Sequence, residues 1–207
     1  MSASVSYLLQ VNNLSCVRDD RLLFEGLSFA ISAGEVLLLE GKNGSGKTSL
    51  LRILCGFREP DVGDLSWCGD ALSDSSYFAD LAYVGHLEGV KKELTVYENL
   101  KVALALGQAG SYSIMEALTR VNLEDFADVL VGALSAGQKR RLSLARLLIT
   151  KNILWILDEP FTSLDRQGIA LIETLMSEHC AKGGMIVLTS HHDLSLQGVD
   201  VQRIMLS

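Results

Sequence analysis

Three apolar runs stand out along the chain: Val36–Leu39, Ile153–Leu157 and Met185–Leu188. None alternates with polar residues. A short continuous run of this kind is the pattern of a strand buried on both faces, as in a parallel sheet. Each run also ends in polar chemistry. Leu37-Leu38-Leu39-Glu40 leads into a glycine loop and a helical pattern from Lys47 to about Cys55. The second run ends in Asp158-Glu159-Pro160 and the third in Ser190-His191. In open parallel sheets, ligands bind at the carboxyl ends of the strands, where these polar residues fall. The N-terminal stretch, LLQVNNLSCV and then LSFAISAGEVLLL, changes polarity in short runs, as antiparallel strands do. From Thr95 to about Leu148 the pattern is helical: TVYENLKVALAL, SIMEALTRVNL and LSAGQKRRLSLARLL. There is no internal repeat or low-complexity tract. The expected architecture is α/β: residues 1–207 form one domain with a mainly parallel core, an N-terminal antiparallel β subdomain and a helical insertion at about 95–148.

Composition narrows the function classes. The chain has 207 residues, enough for a well-developed core. Its formal net charge of −7 argues against nucleic-acid binding through a basic field. The four cysteines (Cys16, Cys55, Cys68 and Cys180) show no CxxC or Cys/His spacing, which fits reduced thiols in a cytosolic protein. MSASVSYLLQVNN lacks the basic start and long apolar core of a secretory signal. No apolar run approaches the roughly 20 residues needed to cross a bilayer. Any membrane role is therefore expected to come through a partner.

The candidate chemistry begins at Gly41-Lys42-Asn43-Gly44-Ser45-Gly46-Lys47-Thr48, a G-x-x-x-x-G-K-[ST] loop between a predicted strand and a predicted helix. Its glycines let backbone N–H groups wrap a polyphosphate, and the helix N-terminus adds partial positive charge. Lys47 would reach the β- and γ-phosphates and Thr48 would bind Mg²⁺. Asp158 would hold the same Mg²⁺ or its water. Glu159 would orient and deprotonate the attacking water. His191 could hydrogen-bond the γ-phosphate, or be structural like His192 beside it. Ser135 can cap the helix that starts near Gly137, leaving N–H groups aimed at an anion. A chain already holding one phosphate loop has no use for this second site on its own nucleotide. Two copies placed head to tail would each complete the other's site.

GKNGSGKT, LSAGQ, ILWILDEP, Ser163-Leu164-Asp165 and Thr189-Ser190-His191 stand in the order and spacing of ATP-binding cassette (ABC) ATPases, which the chain resembles over nearly its whole length. The resemblance implies ATP and Mg²⁺ as cofactors and a homodimer of ATPase subunits. It implies that Ser135, Gly137 and Gln138 serve the ATP of the opposite subunit, with Ser163-Leu164-Asp165 along the seam. It also exposes two departures. The aromatic residue that usually stacks on adenine aligns with Arg18 of CVRDDRLLF, whose guanidinium can stack on a base or simply sit in an exposed charged turn. The usual glutamine that links Mg²⁺ to the transmembrane partner aligns with His86. Imidazole is a poor Mg²⁺ ligand, so a sensing or coupling role fits better there.

Val17-Arg18-Asp19, EGKNGSGKT, YVGHLEGVKKELTVYENL, LSAGQKRR and LWILDEPFTSLD together resemble one subfamily, the ATPase subunit of the cytochrome c maturation haem exporter. That resemblance implies docking on haem-exporter transmembrane subunits (CcmB/CcmC-type) at the cytoplasmic face of the bacterial inner membrane. On motifs alone, a soluble ABC ATPase of iron–sulphur cluster assembly and the ATPase of a different ABC exporter stay open.

Overall fold

The computed structural model describes residues 8–207 apart from Glu88 and the side chain of Asp74. The stretch read as lacking a signal therefore begins outside the described residues, and Glu88 of the His86–Glu93 segment also lies outside them.

The chain opens with β1 (Leu8–Arg18) and β2 (Arg21–Ser32), paired antiparallel through Arg18↔Arg21. Asp19 and Asp20 form the two-residue turn, both at positive φ (51° and 59°). Such turns match the twist of a hairpin, and aspartate is among the residues that tolerate them. β4 (Val62–Trp67) pairs with the other edge of β1, and β5 (Asp70–Ala71) completes a sheet ordered β2-β1-β4-β5. The second sheet is parallel throughout and ordered β6-β7-β8-β3-β9. Its strands are β3 (Glu35–Gly41), β6 (Leu81–Val84), β7 (Leu154–Asp158), β8 (Met185–Thr189) and β9 (Asp200–Leu206).

EVLLL ends the N-terminal stretch expected to be antiparallel, while its Val36–Leu39 run is also one of the three expected in the parallel sheet. The second reading holds, since the segment belongs to β3 and pairs in parallel with β8 and β9. Val36, Leu37, Leu38 and Leu39 are all buried, so the strand needs cover on both faces, as its unbroken apolar run also implies.

The helices are α1 (Lys47–Leu54), α2 (Tyr77–Asp80), α3 (Val96–Leu106), α4 (Ile114–Arg120), α5 (Ala136–Ile149) and α6 (Arg166–Ala181). The helical stretch at 95–148 contains α3, α4 and nearly all of α5. Each of the three starts in a reciprocal capping box: Thr95 with Glu98, Ser113 with Glu116, Ser135 with Gln138. Each box satisfies two otherwise orphaned N–H groups and sets the helix start locally.

Alternate residues of the central strands feed two cores, because successive side chains leave opposite faces of a sheet. Val36, Leu38, Trp155, Leu157, Ile186 and Leu188 pack with α3 to α6. Leu37, Leu39, Leu154, Ile156, Met185 and Val187 pack with α1 and the antiparallel sheet. The parallel sheet is thus clamped between the helical insertion and the N-terminal sheet. Its carboxyl ends stay open where the polar motifs lie.

The His179 ring on α6 stacks on Trp155 (centroids 3.7 Å apart, 10° between planes), and its Nε2 lies 3.1 Å from the Ile153 carbonyl. Burial pulls its pKa down from 6.5 to about 4. In the folded chain the ring stays neutral over a range where the unfolded chain takes up a proton. Stability therefore rises with pH between about 4 and 6.5 and is lost as pH falls through that window. The loss amounts to at most about 3 kcal/mol. Urea unfolding at pH 7 and pH 4.5 should show a smaller acid loss for His179→Phe than for the parent; equal losses would rule out this source.

Candidate functional site

β3 ends at Gly41 and α1 begins at Lys47, so five residues must turn the chain from sheet to helix. Gly41 has no room for a side chain: a Cβ would run into the Leu206 carbonyl of β9 and Ser45 Oγ. Gly44 and Gly46 take positive φ (83° and 100°), and a Cβ on Gly44 would meet nothing within 4 Å. The loop is thus tight against the sheet below and open above. Gly46, the residue before α1, offers no side-chain cap, which leaves the first N–H groups of the helix for an anion. Lys47, only 9% exposed, donates to the Gly41 carbonyl (2.6 Å) and the Lys42 carbonyl (3.1 Å). Two of its three ammonium protons hold the loop and one remains for a phosphate. Ser45 Oγ is buried without a hydrogen-bond partner. A cradle of free donors around open space fits a polyphosphate.

The carboxylates stand at the end of β7, facing α1. Asp158 is buried. Its Oδ1 accepts from Thr189 Oγ1 (2.7 Å) and its Oδ2 from Thr48 Oγ1 (3.2 Å). Thr189 Oγ1 in turn accepts from the Glu159 N–H (2.9 Å). Thr48 and Asp158 therefore present adjacent oxygens, the donor type a hard divalent cation prefers. Glu159 sits at φ 50°, in the left-handed region that a non-glycine residue rarely adopts. Its Oε1 lies 3.6 Å from His191 Nε2, and the His191 side chain is 63% exposed. Glu159 and His191 line the same cleft as the loop.

These groups line one cleft of about 740 Å³. Asn43, Gly44, Gly46, Lys47 and Thr48 of the loop and α1 line it, together with Asp158, Glu159, His191 and His86. Arg18, Asp19, Arg21 and Leu23 of the β1–β2 hairpin line it as well, with Leu23 against Gly46. Gly41, Lys42 and Ser45 do not line the cleft. Arg18 borders the cleft, with its side chain 59% exposed and beside Asp19 (3.4 Å).

Ser135, Gly137 and Gln138 are not in this cleft. Ser135 Oγ accepts from the Gln138 N–H, and Gln138 Oε1 accepts from the Ser135 N–H (2.8 Å). The N–H groups of Ala136 and Gly137 take part in neither bond. The helix begins at Ala136, one residue before the expected start near Gly137. A Cβ on Gly137 would come within 2.8 Å of the Ser163 carbonyl, so this glycine is also where α5 meets the Ser163–Asp165 turn.

Four contributors are absent from the sequence reading or only glimpsed in it. Arg21 and Thr162 line the cleft, and nothing in their local sequence marks them. Thr189 appeared only as part of Thr189-Ser190-His191, yet it joins both carboxylate positions. Arg140 is 3% exposed and donates to the carbonyls of Gly85, Asp158, Glu159 and Pro160.

The chain is similar to proteins of one family. Residues 24–162 match the family model described as ABC transporter. The chain is 45% identical over 203 residues to the cytochrome c biogenesis ATP-binding export protein CcmA of Vibrio vulnificus strain YJ016, covering 96% of this chain and 99% of that one. It is 49% identical over 194 residues to the CcmA of Methylococcus capsulatus, covering 92% and 94%. Among solved structures, a putative ABC transporter ATP-binding protein from Pyrococcus furiosus superposes with a TM-score of 0.83 at 25% identity, over 96% of this chain and 97% of that chain. CbiO1 of Clostridium perfringens, part of the ABC transporter complex cbiONQ, gives 0.74 at 26% identity, over 90% and 79%. A cleft lined by a phosphate-type loop and paired carboxylates, a near full-length likeness to these proteins and a shared fold lead to one conclusion: the chain is an ATP-hydrolysing member of the ABC transporter family, of the cytochrome c biogenesis ATP-binding export type.

Proposed function

We propose that this chain is the motor subunit of a haem-export complex in cytochrome c biogenesis, working as a homodimer at the cytoplasmic face of the bacterial inner membrane. The observation that carries the reading is the near full-length 45% identity to the Vibrio vulnificus export protein. No helix among the described residues is long and apolar enough to cross a membrane, which is in keeping with a partner that does. In this reading residues 1–207 act as one ABC ATPase domain. The shared strands of its two cores support that, as does the helical insertion built into one of them.

The lining of the cleft supports the following roles. Lys47 and the N–H groups of the loop from Gly41 to Thr48 hold the phosphates of ATP. Arg18, with Arg21, flanks the base. Thr48 and Asp158 would hold Mg²⁺, which when bound supplies positive charge to the β- and γ-phosphate oxygens. Glu159 orients the attacking water and takes its proton. His191, close to Glu159, donates to a γ-phosphate oxygen as the leaving bond stretches. Ser135, Gly137 and Gln138 lie outside the cleft, which supports their serving the ATP of a second copy. The transmembrane subunits, CcmB/CcmC-type, would dock by the His86–Glu93 segment. Exposed Phe57, Leu87 and Leu106 offer apolar surface to a partner. Arg146 donates to the Gly89 carbonyl of this segment (3.4 Å), and burial lowers its pKa. A carboxylate on the partner would suit it.

A bacterial strain lacking its own ATP-binding export subunit for cytochrome c biogenesis tests the proposal. Expression of this chain should restore covalently haem-loaded c-type cytochromes, measured by haem staining, and the Lys47→Ala variant should not. ATP hydrolysis by the expressed chain without any recovery of c-type cytochromes would overturn the assignment to this pathway.

A further inference from the structure

Arg140 lies on α5, five residues beyond Ser135, in the basic run Lys139-Arg140-Arg141. Its neighbours in that run are partly exposed, but Arg140 turns inward to 3% exposure. Its guanidinium donates to four backbone carbonyls. Nε donates to the Pro160 carbonyl (3.0 Å), one terminal nitrogen to the Gly85 carbonyl (2.7 Å), and the other to the carbonyls of Asp158 (2.8 Å) and Glu159 (2.7 Å). Three of these acceptors are consecutive. They fix the peptide planes on both sides of Glu159, the residue at φ 50°. The fourth precedes His86 directly.

We propose that Arg140 is a positioning residue for ATP hydrolysis, holding the turn that aims Glu159 and tying it to the His86 segment and to the helix that begins after Ser135. The proposal rests on the reading of Glu159 as the group that activates water. A left-handed glutamate persists only where its surroundings over-determine it. Thr189 holds the turn from the sheet side, through the Glu159 N–H. Arg140 holds it from the helix side, through the carbonyls. Without the guanidinium, the buried carbonyls lose their donors and the turn is free to relax toward an ordinary backbone conformation. The Glu159 carboxylate would then swing away from the water, while the phosphate loop, held by Lys47, would keep its shape. The link to α5 has a further consequence: a shift of the helix whose first turn faces outward moves the catalytic turn with it.

The plain alternative is that Arg140 only satisfies buried carbonyls and holds the fold. The two roles differ in what they move. Arg140→Gln and Arg140→Lys would be made in the full chain beside Glu159→Gln. Three quantities would be read: single-turnover hydrolysis at saturating protein, dissociation of a fluorescent ATP analogue, and the thermal midpoint. Lysine keeps the charge but not the planar fork, and glutamine keeps fewer donors. We expect Arg140→Gln to lower turnover about 100-fold, as a small misplacement of a reacting group does. Arg140→Lys should fall between it and the parent. ATP affinity should stay within about threefold of the parent for both, since a factor of three is under about 0.7 kcal/mol, and both variants should stay folded. Turnover near the parent's in a folded variant would overturn the proposal. So would turnover that falls only in step with ATP affinity or melting, or the failure of every variant to fold; each would leave Arg140 a fold-holding role. An inactive Glu159→Gln beside active Arg140 variants overturns the clamp alone. An active Glu159→Gln overturns the reading of Glu159, and the clamp with it.

Discussion

Glu159→Gln should bind ATP as the parent does and hydrolyse it about 10² to 10⁴ times more slowly, the usual contribution of a positioned general base. The substitution keeps the size and hydrogen-bonding shape of the side chain and removes only its ability to accept a proton. The backbone contacts that hold the turn, from Thr189 to the Glu159 N–H and from Arg140 to the Glu159 carbonyl, do not involve the side chain. The phosphate loop is on another element and is untouched. The loss should therefore appear in the hydrolytic step and not in ATP affinity. Because the closed, ATP-bound state would no longer be consumed, the variant should also accumulate as a dimer with ATP, visible by size-exclusion chromatography with light scattering. A variant with parental turnover would remove Glu159 from the chemistry.

Lys47→Ala should fail one step earlier, at binding. The ammonium is nearly buried, and two of its protons are committed to the Gly41 and Lys42 carbonyls. Removing it deletes a charged hydrogen bond to phosphate, worth about 1.5–3 kcal/mol, or roughly 10- to 150-fold in affinity. It also frees the two carbonyls that the ammonium draws under the loop, so the N–H groups above lose part of their alignment. Equilibrium binding of a fluorescent ATP analogue measures the effect. Affinity within threefold of the parent in a folded variant would show that the backbone cradle carries binding without the lysine. Together the two variants separate binding from hydrolysis within the same cleft.

The strands that were legible are those whose burial leaves no choice. β3, β7 and β8 lie in the interior of the parallel sheet, covered on both faces, and only an unbroken apolar run satisfies that. β9 was not expected because it is an edge strand with exposed and covered positions mixed, DVQRIML, which resembles a surface segment. β4, VGDLSW, carries glycine and aspartate and earns its place only by pairing with a distant β1. The helix starts were legible for a local reason. A serine or threonine followed three residues later by glutamate or glutamine closes a capping box within one turn.

The chemistry of the site divides along the same line. The amino-acid sequence by itself determined the phosphate loop, the Asp158-Glu159 pair and the capped start of α5, because each is a short run whose neighbours in space are also neighbours in the chain. The motifs already put Thr48 and Asp158 on one Mg²⁺ and Ser135 and Gly137 on another chain's nucleotide, but tertiary structure alone decided that Thr189 joins both carboxylate positions, 30 residues and more along the chain from them. It also decided that Arg140, the middle residue of a basic run, is the buried one. Its acceptors are backbone carbonyls, which every residue carries, so no residue type at those positions announces the contact. Side-chain chemistry is written in the sequence; where a side chain finds a carbonyl depends on strand register and helix packing, which are properties of the whole fold.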